Sequence, residues 1–204
     1  MEFDGGLRAR LEANLARHEL WEVEVGENRH AAVAVVVVGD GDRAAVLLTQ
    51  RAASLRAHAN QFALPGGRID AGEEPVDGAR RELEEELGLR LDPGALIGRL
   101  DDYATRSGYV MSPFVFWGGP DPELAPNPAE VGVVHRVPFE ELCRPDSPRF
   151  VTIPESDRPV VQLPIGEQLL HAPTGAVLLQ FRRVAIEGTG ERVAHLEQPV
   201  FAWR

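Results

Sequence analysis

The sequence lacks the segments that would place a protein in or across a membrane. Its longest uninterrupted apolar run spans residues 31–38, whereas a transmembrane helix needs about 20 apolar residues. The N-terminus carries Glu2, Asp4, Arg8 and Arg10 in place of the apolar segment of a secretory signal. These absences predict a cytoplasmic protein that has no membrane partner.

Cysteine and lysine are also scarce. Cys143 is the single cysteine, which excludes an internal disulfide framework and a zinc site built from cysteines alone. All 21 basic residues are arginine and there are 32 acidic residues, so the formal net charge is −11. This balance argues against nucleic acid as a partner, because domains that bind nucleic acid usually present a basic face.

Helix and strand signals alternate along the rest of the sequence, and this order predicts an α+β fold with a mixed β-sheet. Leu7, Leu11 and Leu15 form one stripe of a short amphipathic helix. Two apolar strands at residues 31–38 and 44–49 flank a Gly-Asp-Gly-Asp turn, a pattern typical of a β-hairpin. Further strands are predicted near residues 96–100, 109–117 and 131–137, and a short helix near residues 139–143.

Residues 145–204 are rich in proline and are predicted to form short strands joined by loops. Within them, residues 176–186 and 192–201 are predicted to be strands that pair across a turn at residues 187–190. The length of 204 residues suits a single domain over residues 1–204, with an extended C-terminal region at about 145–204. The sequence does not indicate the role of that region.

An acidic helix is the most informative segment. The sequence predicts a helix over residues 75–87, because Pro75 suits a first helical position and Gly88 a C-terminal stop. Glu82, Glu85 and Glu86 then share one face, and all-oxygen ligands suit Mg²⁺ or Mn²⁺. A solvated acidic face is the alternative for such a helix taken alone.

The residues around this helix resemble the signature of the Nudix hydrolases. The pattern is Gly67, five residues, Glu73, seven residues, and then the run Arg81-Glu82-Leu83, one residue, Glu85-Glu86, one residue, Gly88-Leu89. The resemblance covers 23 residues and implies a Nudix-like α/β/α sandwich whose catalytic helix lies at about residues 75–87. It also implies an enzyme that hydrolyses nucleoside diphosphates linked to another moiety, with a small molecule as its partner.

The same resemblance assigns roles to individual residues. Glu82, Glu85 and Glu86 are expected to bind Mg²⁺ or Mn²⁺ as catalytic residues, with the Gly66 carbonyl as a further ligand. Glu73 and Arg81 are expected to pair and brace the loop against the helix.

The base that activates water varies within the family. Two candidates stay open in this sequence: a helix carboxylate such as Glu82, and Glu130, which lies just before a predicted strand.

The segment before the helix indicates an anionic substrate. Between residues 50 and 69 the chain has Arg51, Arg56, His58 and Arg68 and no acidic residue, so the three arginines are predicted to bind substrate phosphates. Arginine stems that cover the edge of the core are the alternative.

This segment also resembles the upstream signature of the coenzyme A pyrophosphatase branch. Leu47-Leu48-Thr49, Arg51-Ala52, Arg56 and Pro65-Gly66-Gly67 match it, whereas Asn60 replaces a glycine and Leu64 a phenylalanine. The branch implies cleavage of coenzyme A or acyl-coenzyme A to 4′-phosphopantetheine and adenosine 3′,5′-bisphosphate.

Two other functions remain alternatives. One is a Nudix pyrophosphatase for ADP-ribose, a dinucleotide or a modified nucleoside triphosphate, and the other is a Nudix-fold binding module without turnover. A homodimer is the expected oligomer, only because homodimers are the commonest soluble oligomers.

Overall fold

The computed structural model describes residues 1–52 and 61–203. The α-helices in these ranges are α1 (Gly5–Arg17), α2 (Pro75–Leu87), α3 (Phe139–Leu142) and α4 (Thr174–Phe181). The strands in these ranges are β1 (Arg29–Asp40), β2 (Arg43–Arg51), β3 (Phe62–Ala63), β4 (Gly66–Arg68), β5 (Leu96–Arg99), β6 (Tyr103–Ala104), β7 (Tyr109–Gly119), β8 (Val131–Pro138), β9 (Arg149–Ile153), β10 (Ser156–Ile165) and β11 (Gln168–His171).

Strands β1 to β8 form one mixed sheet. Its main path runs β3-β2-β1-β7-β5, with β4 beside β1, β6 beside β7 and β8 beside β2. The β1–β7 pair is parallel, whereas β1 pairs antiparallel with both β2 and β4. The predicted α+β class with a mixed sheet is therefore confirmed, as are the hairpin at residues 31–49 and the helix over Pro75–Leu87.

The two faces of β1 are covered by different helices. Its even-numbered residues, such as Ala34 and Val36, pack with Leu83 and Leu87 of α2. Its odd-numbered residues belong to a second cluster that contains the predicted leucine stripe of α1 and the apolar residues of α4. Because successive side chains of a strand point to opposite faces, this arrangement is the predicted α/β/α sandwich.

The C-terminal region differs from its prediction. Residues 176–186 are not a strand: α4 occupies Thr174–Phe181 and continues as a π-helical turn over Arg182–Ile186. Residues 192–201 contain no extended strand either, and they end in a 3₁₀ turn at Val200–Ala202. The prediction failed because every residue from Gly175 to Phe181 is buried, so the apolar residues of α4 show no helical period.

The strands of this region are β9, β10 and β11, which form a separate antiparallel sheet in the order β11-β10-β9. Val161 and Leu163 of β10 share the core cluster that contains α1 and the odd-numbered residues of β1. The C-terminal region is therefore packed onto the sandwich. No helix in the described part of the chain is long and apolar enough to span a membrane.

Candidate active site

Two glycines in β4 allow the backbone to lie directly against its neighbours. A Cβ atom added to Gly67 would lie 2.4 Å from the carboxylate carbon of Glu82. One added to Gly66 would lie 2.3 Å from the carbonyl oxygen of Ala32. A side chain at Gly66 would clash with the backbone of β1, and one at Gly67 would displace the Glu82 carboxylate, so glycine at both positions lets β4 fit between β1 and the Glu82 side chain.

Glu73 and Arg81 hold the loop between β4 and α2. Arg81 Nε and Nη2 donate to Glu73 Oε1 and Oε2 at 3.0 and 3.1 Å, and Nη2 also donates to the carbonyl of Arg68 at 2.9 Å. The hydrogen bond from Arg81 lowers the pKa of Glu73, and the bond to Glu73 raises the pKa of Arg81. The two residues predicted to brace this loop are thus in direct contact.

Glu82, Glu86 and Glu130 lie within electrostatic reach of one another. Burial raises the pKa of Glu86 to about 7, and the charges of Glu82 and Glu130 act in the same direction. The charge of Arg51 and a hydrogen bond from the Gly66 backbone act in the opposite direction. Hydrogen bonds agree with this proximity, since Asn127 N donates to the Glu86 carbonyl at 2.9 Å and the Asn127 side-chain amide donates to Glu130 Oε1 at 3.3 Å. The three carboxylates therefore form one cluster.

The carboxylate oxygens of this cluster differ in their hydrogen bonding. Burial raises the pKa of Glu82, although Arg81 Nη1 donates to its Oε1 at 2.9 Å. Glu86 Oε2 is buried and has no hydrogen-bond partner among the described residues. Glu85 lies at the exposed edge of the cluster: its side chain is 55% exposed and accepts at 3.1 Å from Arg81 Nη1, the nitrogen that also donates to Glu82. With the side chains in these positions, no three Asp, Glu, His or Cys residues within 1–52 and 61–203 converge to hold one ion.

A cleft of about 470 Å³ adjoins β4, within the range of about 300–1,000 Å³ of small-molecule sites. Three parts of the chain line it: the sandwich, the β11–α4 segment and the C-terminus. The lining residues are Ala31, Val33, Arg51, Gln61, Phe62, Ala63, Leu64, Gly66, Gly67, Thr105, Ser107, Tyr109, Met111, Gln168, Leu169, Leu170, His171, Ala172, Pro173, Thr174, Gln198, Phe201 and Ala202. None of these described residues is acidic, although the chain has 32 Asp and Glu residues.

The arginines predicted to bind substrate fall in different places. Arg51 lines the cleft, and its buried Nε has no partner among the described residues. Arg68 is exposed and donates from Nε and Nη2 to the Tyr109 hydroxyl at 3.0 and 2.9 Å. Arg56 lies outside the described residues, as does Asn60 of the same loop.

The sequence did not reveal the wall of the cleft that faces the sandwich. Residues 168–174 together with Gln198, Phe201 and Ala202 supply this C-terminal wall, in which His171 and Phe201 are in edge-to-face contact at 5.5 Å between ring centroids. These residues carry no motif, and their approach to β4 depends on long-range packing. Tyr109 was also missed, although its place at the start of a predicted strand was a usable signal.

The likeness to a known family extends well beyond α2 and its carboxylates. Residues 28–160 match the NUDIX domain family. The chain belongs to the Nudix family. It is therefore an enzyme of the Nudix hydrolase class, which acts on nucleoside diphosphate derivatives and generally uses divalent metals such as Mg²⁺ or Mn²⁺.

Individual Nudix relatives match most of this chain. A protein named "Uncharacterized Nudix hydrolase NudL" from Photorhabdus laumondii is 35% identical over 127 residues, which are 62% of this chain and 67% of the relative. Its namesake from Citrobacter koseri is 33% identical over 138 residues, which are 66% of this chain and 72% of the relative. The crystal structure of a MutT/nudix family protein from Enterococcus faecalis has a TM-score of 0.60 at 18% identity and covers 92% of this chain and 72% of that one. This last similarity shows a shared fold.

Proposed function

We propose that this Nudix hydrolase cleaves the diphosphate of coenzyme A or acyl-coenzyme A, in the cytoplasm, to give 4′-phosphopantetheine and adenosine 3′,5′-bisphosphate. The observation that carries the proposal is the position of Arg51, the first arginine of the segment that resembles the coenzyme A branch. Arg51 lines the cleft, and its charge acts on Glu86. The segment that resembles a coenzyme A signature therefore joins the carboxylate cluster to the cleft.

The carboxylate cluster fits a divalent metal. The buried, unpartnered Oε2 of Glu86 is an oxygen donor without a hydrogen bond among the described residues, and oxygen donors suit Mg²⁺ or Mn²⁺. Glu82, Glu85, Glu86 and the Gly66 carbonyl would hold the ion. When bound, the metal neutralises charge on the diphosphate and acidifies the attacking water.

We assign the general base to Glu130 in preference to Glu82. Arg81 already donates to Glu82 Oε1, whereas the side-chain hydrogen bond of Glu130 is a long one of 3.3 Å from the Asn127 amide. Glu130 takes a proton from water as the water oxygen bonds to phosphorus. The bond from phosphorus to the bridging oxygen breaks, and the electron pair leaves with the second phosphate group.

The C-terminal wall suits the part of the substrate that is not phosphate. Leu169, Leu170, Pro173 and Phe201 line the cleft here, and no described lining residue is acidic. The same wall also carries the polar residues Gln168, His171, Thr174 and Gln198. A wall that mixes apolar side chains with several polar groups suits an acylated pantetheine arm. We therefore propose that the region at about 145–204 belongs to the same domain and contributes substrate contacts.

The experiment is a cleavage assay of the purified protein with Mg²⁺ or Mn²⁺. Its substrates are coenzyme A, acetyl-coenzyme A, ADP-ribose, NADH and an oxidised guanine triphosphate, and Glu86→Gln is the control. We expect 4′-phosphopantetheine as a product of the wild type and none from the variant. Turnover of ADP-ribose without cleavage of coenzyme A would overturn the substrate assignment and leave the carboxylate chemistry in place. Binding without turnover of any substrate would instead favour a non-catalytic binding module.

A further inference from the structure

Two arginines flank the ring of Tyr109 at the rim of the cleft. Arg29 Cζ lies 4.0 Å from the ring centroid, and Arg68 Cζ lies 5.7 Å from it. Arg68 also donates to the Tyr109 hydroxyl through Nε and Nη2 at 3.0 and 2.9 Å. Arg29 Nη2 donates to the Ser107 carbonyl at 3.0 Å. These contacts hold two positive charges beside two residues, Ser107 and Tyr109, that line the cleft.

This cluster differs from the other cation–π pairs of the described chain. Arg99, Arg106 and Arg192 also lie over aromatic rings, and each forms an ion pair with a carboxylate. Neither Arg29 nor Arg68 has an acidic partner among residues 1–52 and 61–203. Two neighbouring guanidinium groups without a counter-charge, in a chain of net charge −11, are placed to receive an external anion.

The strand register separates Arg29 from the catalytic carboxylates, whereas Arg68, which pairs with Ala31, lies between them. Ala31 and Val33 line the cleft, and Arg29 lies on the same side of β1 because alternate residues share a face. Val33 pairs with Gly66, and the Gly66 backbone forms a hydrogen bond with the Glu86 carboxylate. Four residues of a strand span about 13 Å, so a diphosphate seated at the carboxylate end does not reach Arg29.

We infer that Arg29, Arg68 and the Tyr109 hydroxyl form a second anion subsite, which binds a phosphate group of the substrate other than the scissile diphosphate. Guanidinium groups bind phosphate through paired charged hydrogen bonds, and stacking on Tyr109 orders them beforehand. The ligand class is a nucleoside diphosphate derivative with a separate phosphomonoester. This inference rests on the proposed function, under which that group is the 3′-phosphate of coenzyme A.

The first test compares coenzyme A with 3′-dephospho-coenzyme A, which differ only in that phosphate. We expect the wild type to prefer coenzyme A by about 10-fold in kcat/KM, mainly through KM, as one lost charged contact predicts. Arg29→Ala should lower kcat/KM for coenzyme A to the kcat/KM for the dephospho form. Arg29→Lys should restore part of the preference for coenzyme A. Arg10→Ala is the matched control, since Arg10 is also exposed and has no carboxylate partner among the described residues.

A binding measurement separates failure of this inference from failure of the proposed function. Calorimetry should show that adenosine 3′,5′-bisphosphate binds the wild type about 10-fold more tightly than AMP, and that Arg29→Ala and Tyr109→Phe each reduce this advantage. Equal cleavage of coenzyme A and its dephospho form by the wild type would overturn the subsite and leave the proposed function intact. Absence of coenzyme A cleavage would overturn the proposed substrate. In that case, tighter binding of adenosine 3′,5′-bisphosphate than of AMP would support the subsite, and equal binding of the two would overturn it.

Discussion

The candidate site has two ends, a carboxylate cluster beside β4 and the C-terminal wall of the adjoining cleft, which are built from different parts of the chain and carry opposite chemistry. The cluster consists of carboxylates on α2 and at Glu130 that lie outside the cleft lining, and Arg81 and Gly66 donate hydrogen bonds to Glu82 and Glu86. The C-terminal wall combines apolar and uncharged polar side chains and contains no acidic residue in the part that the structure describes. One end is therefore suited to act on phosphorus and the other to hold the rest of the substrate.

Because of this separation, we expect the substitutions that impair catalysis to differ from the substitutions that impair substrate recognition. Changes at the carboxylate end should lower kcat, because they remove interactions made in the transition state. Changes in the C-terminal wall should raise KM and leave kcat nearly unchanged. The following predictions test this division, from the largest expected effect to the smallest.

Glu86→Gln should have the largest effect, a loss of about 10³-fold in kcat, because it removes a buried charge at the centre of the cluster. Glu84→Gln is the matched control, since Glu84 lies on the same helix, is exposed and pairs with Arg90. Steady-state kinetics with coenzyme A measures both variants. Equal activity of the two variants would show that catalysis does not depend on the Glu86 carboxylate.

Glu73→Gln should lower kcat by about 10–100-fold, because it loosens Arg81 and through it Glu82. The matched control is Asp77→Asn on the same helix, since Asp77 pairs with Arg80 at the surface. The same kinetic assay distinguishes them. A change in KM alone would assign Glu73 to substrate binding, contrary to the division between the two ends of the site.

Glu197→Gln should destabilise the chain next to the C-terminal wall in a pH-dependent way. The buried Glu197 carboxylate accepts hydrogen bonds from Arg106 Nε at 3.1 Å and Ser156 Oγ at 2.8 Å, and the bond from Arg106 leads the effects that lower its pKa to about 2 from 4.5. A lowered carboxyl pKa contributes stability above pH 4.5, which is lost as pH falls toward 2.

Urea unfolding should therefore show a loss of about 2 kcal/mol in the free energy of unfolding for Glu197→Gln at pH 7 and a smaller loss at pH 3. Glu167→Gln, an exposed change in the same region of the chain, is the control. A loss that stays the same at both pH values would show that the ion pair is not the source of the stability.

Phe201→Ala should have the smallest effect, a rise of about 3–10-fold in KM for acyl-coenzyme A with little change in kcat. The ring is 60% exposed at the cleft, so its removal should cost little stability. Phe150→Ala is the matched control, because Phe150 is 51% exposed on β9 and does not line the cleft. A drop in kcat for Phe201→Ala alone would contradict the division between the two ends.

The extent to which the sequence predicted the structure differs between the two ends. Around α2, the helix bounds and the contact between Glu73 and Arg81 agree with the expectation from the sequence. Local signals were sufficient there, because Pro75 and Gly88 mark helix ends through their own backbone preferences. In the C-terminal region, the segment predicted as a strand at residues 176–186 is helical. The prediction failed there because residues 175–181 are all buried, so the sequence shows no helical period.

The sequence by itself determined the mixed α+β fold, the position of the acidic helix and the membership of the Nudix family, because these depend on short-range patterns. Only the tertiary structure decided that Glu130 joins the helix carboxylates and that Arg29 and Arg68 share one aromatic ring. It also decided that residues far along the chain close the cleft. Such contacts depend on strand register and on the packing of distant segments, which no local pattern of residues specifies.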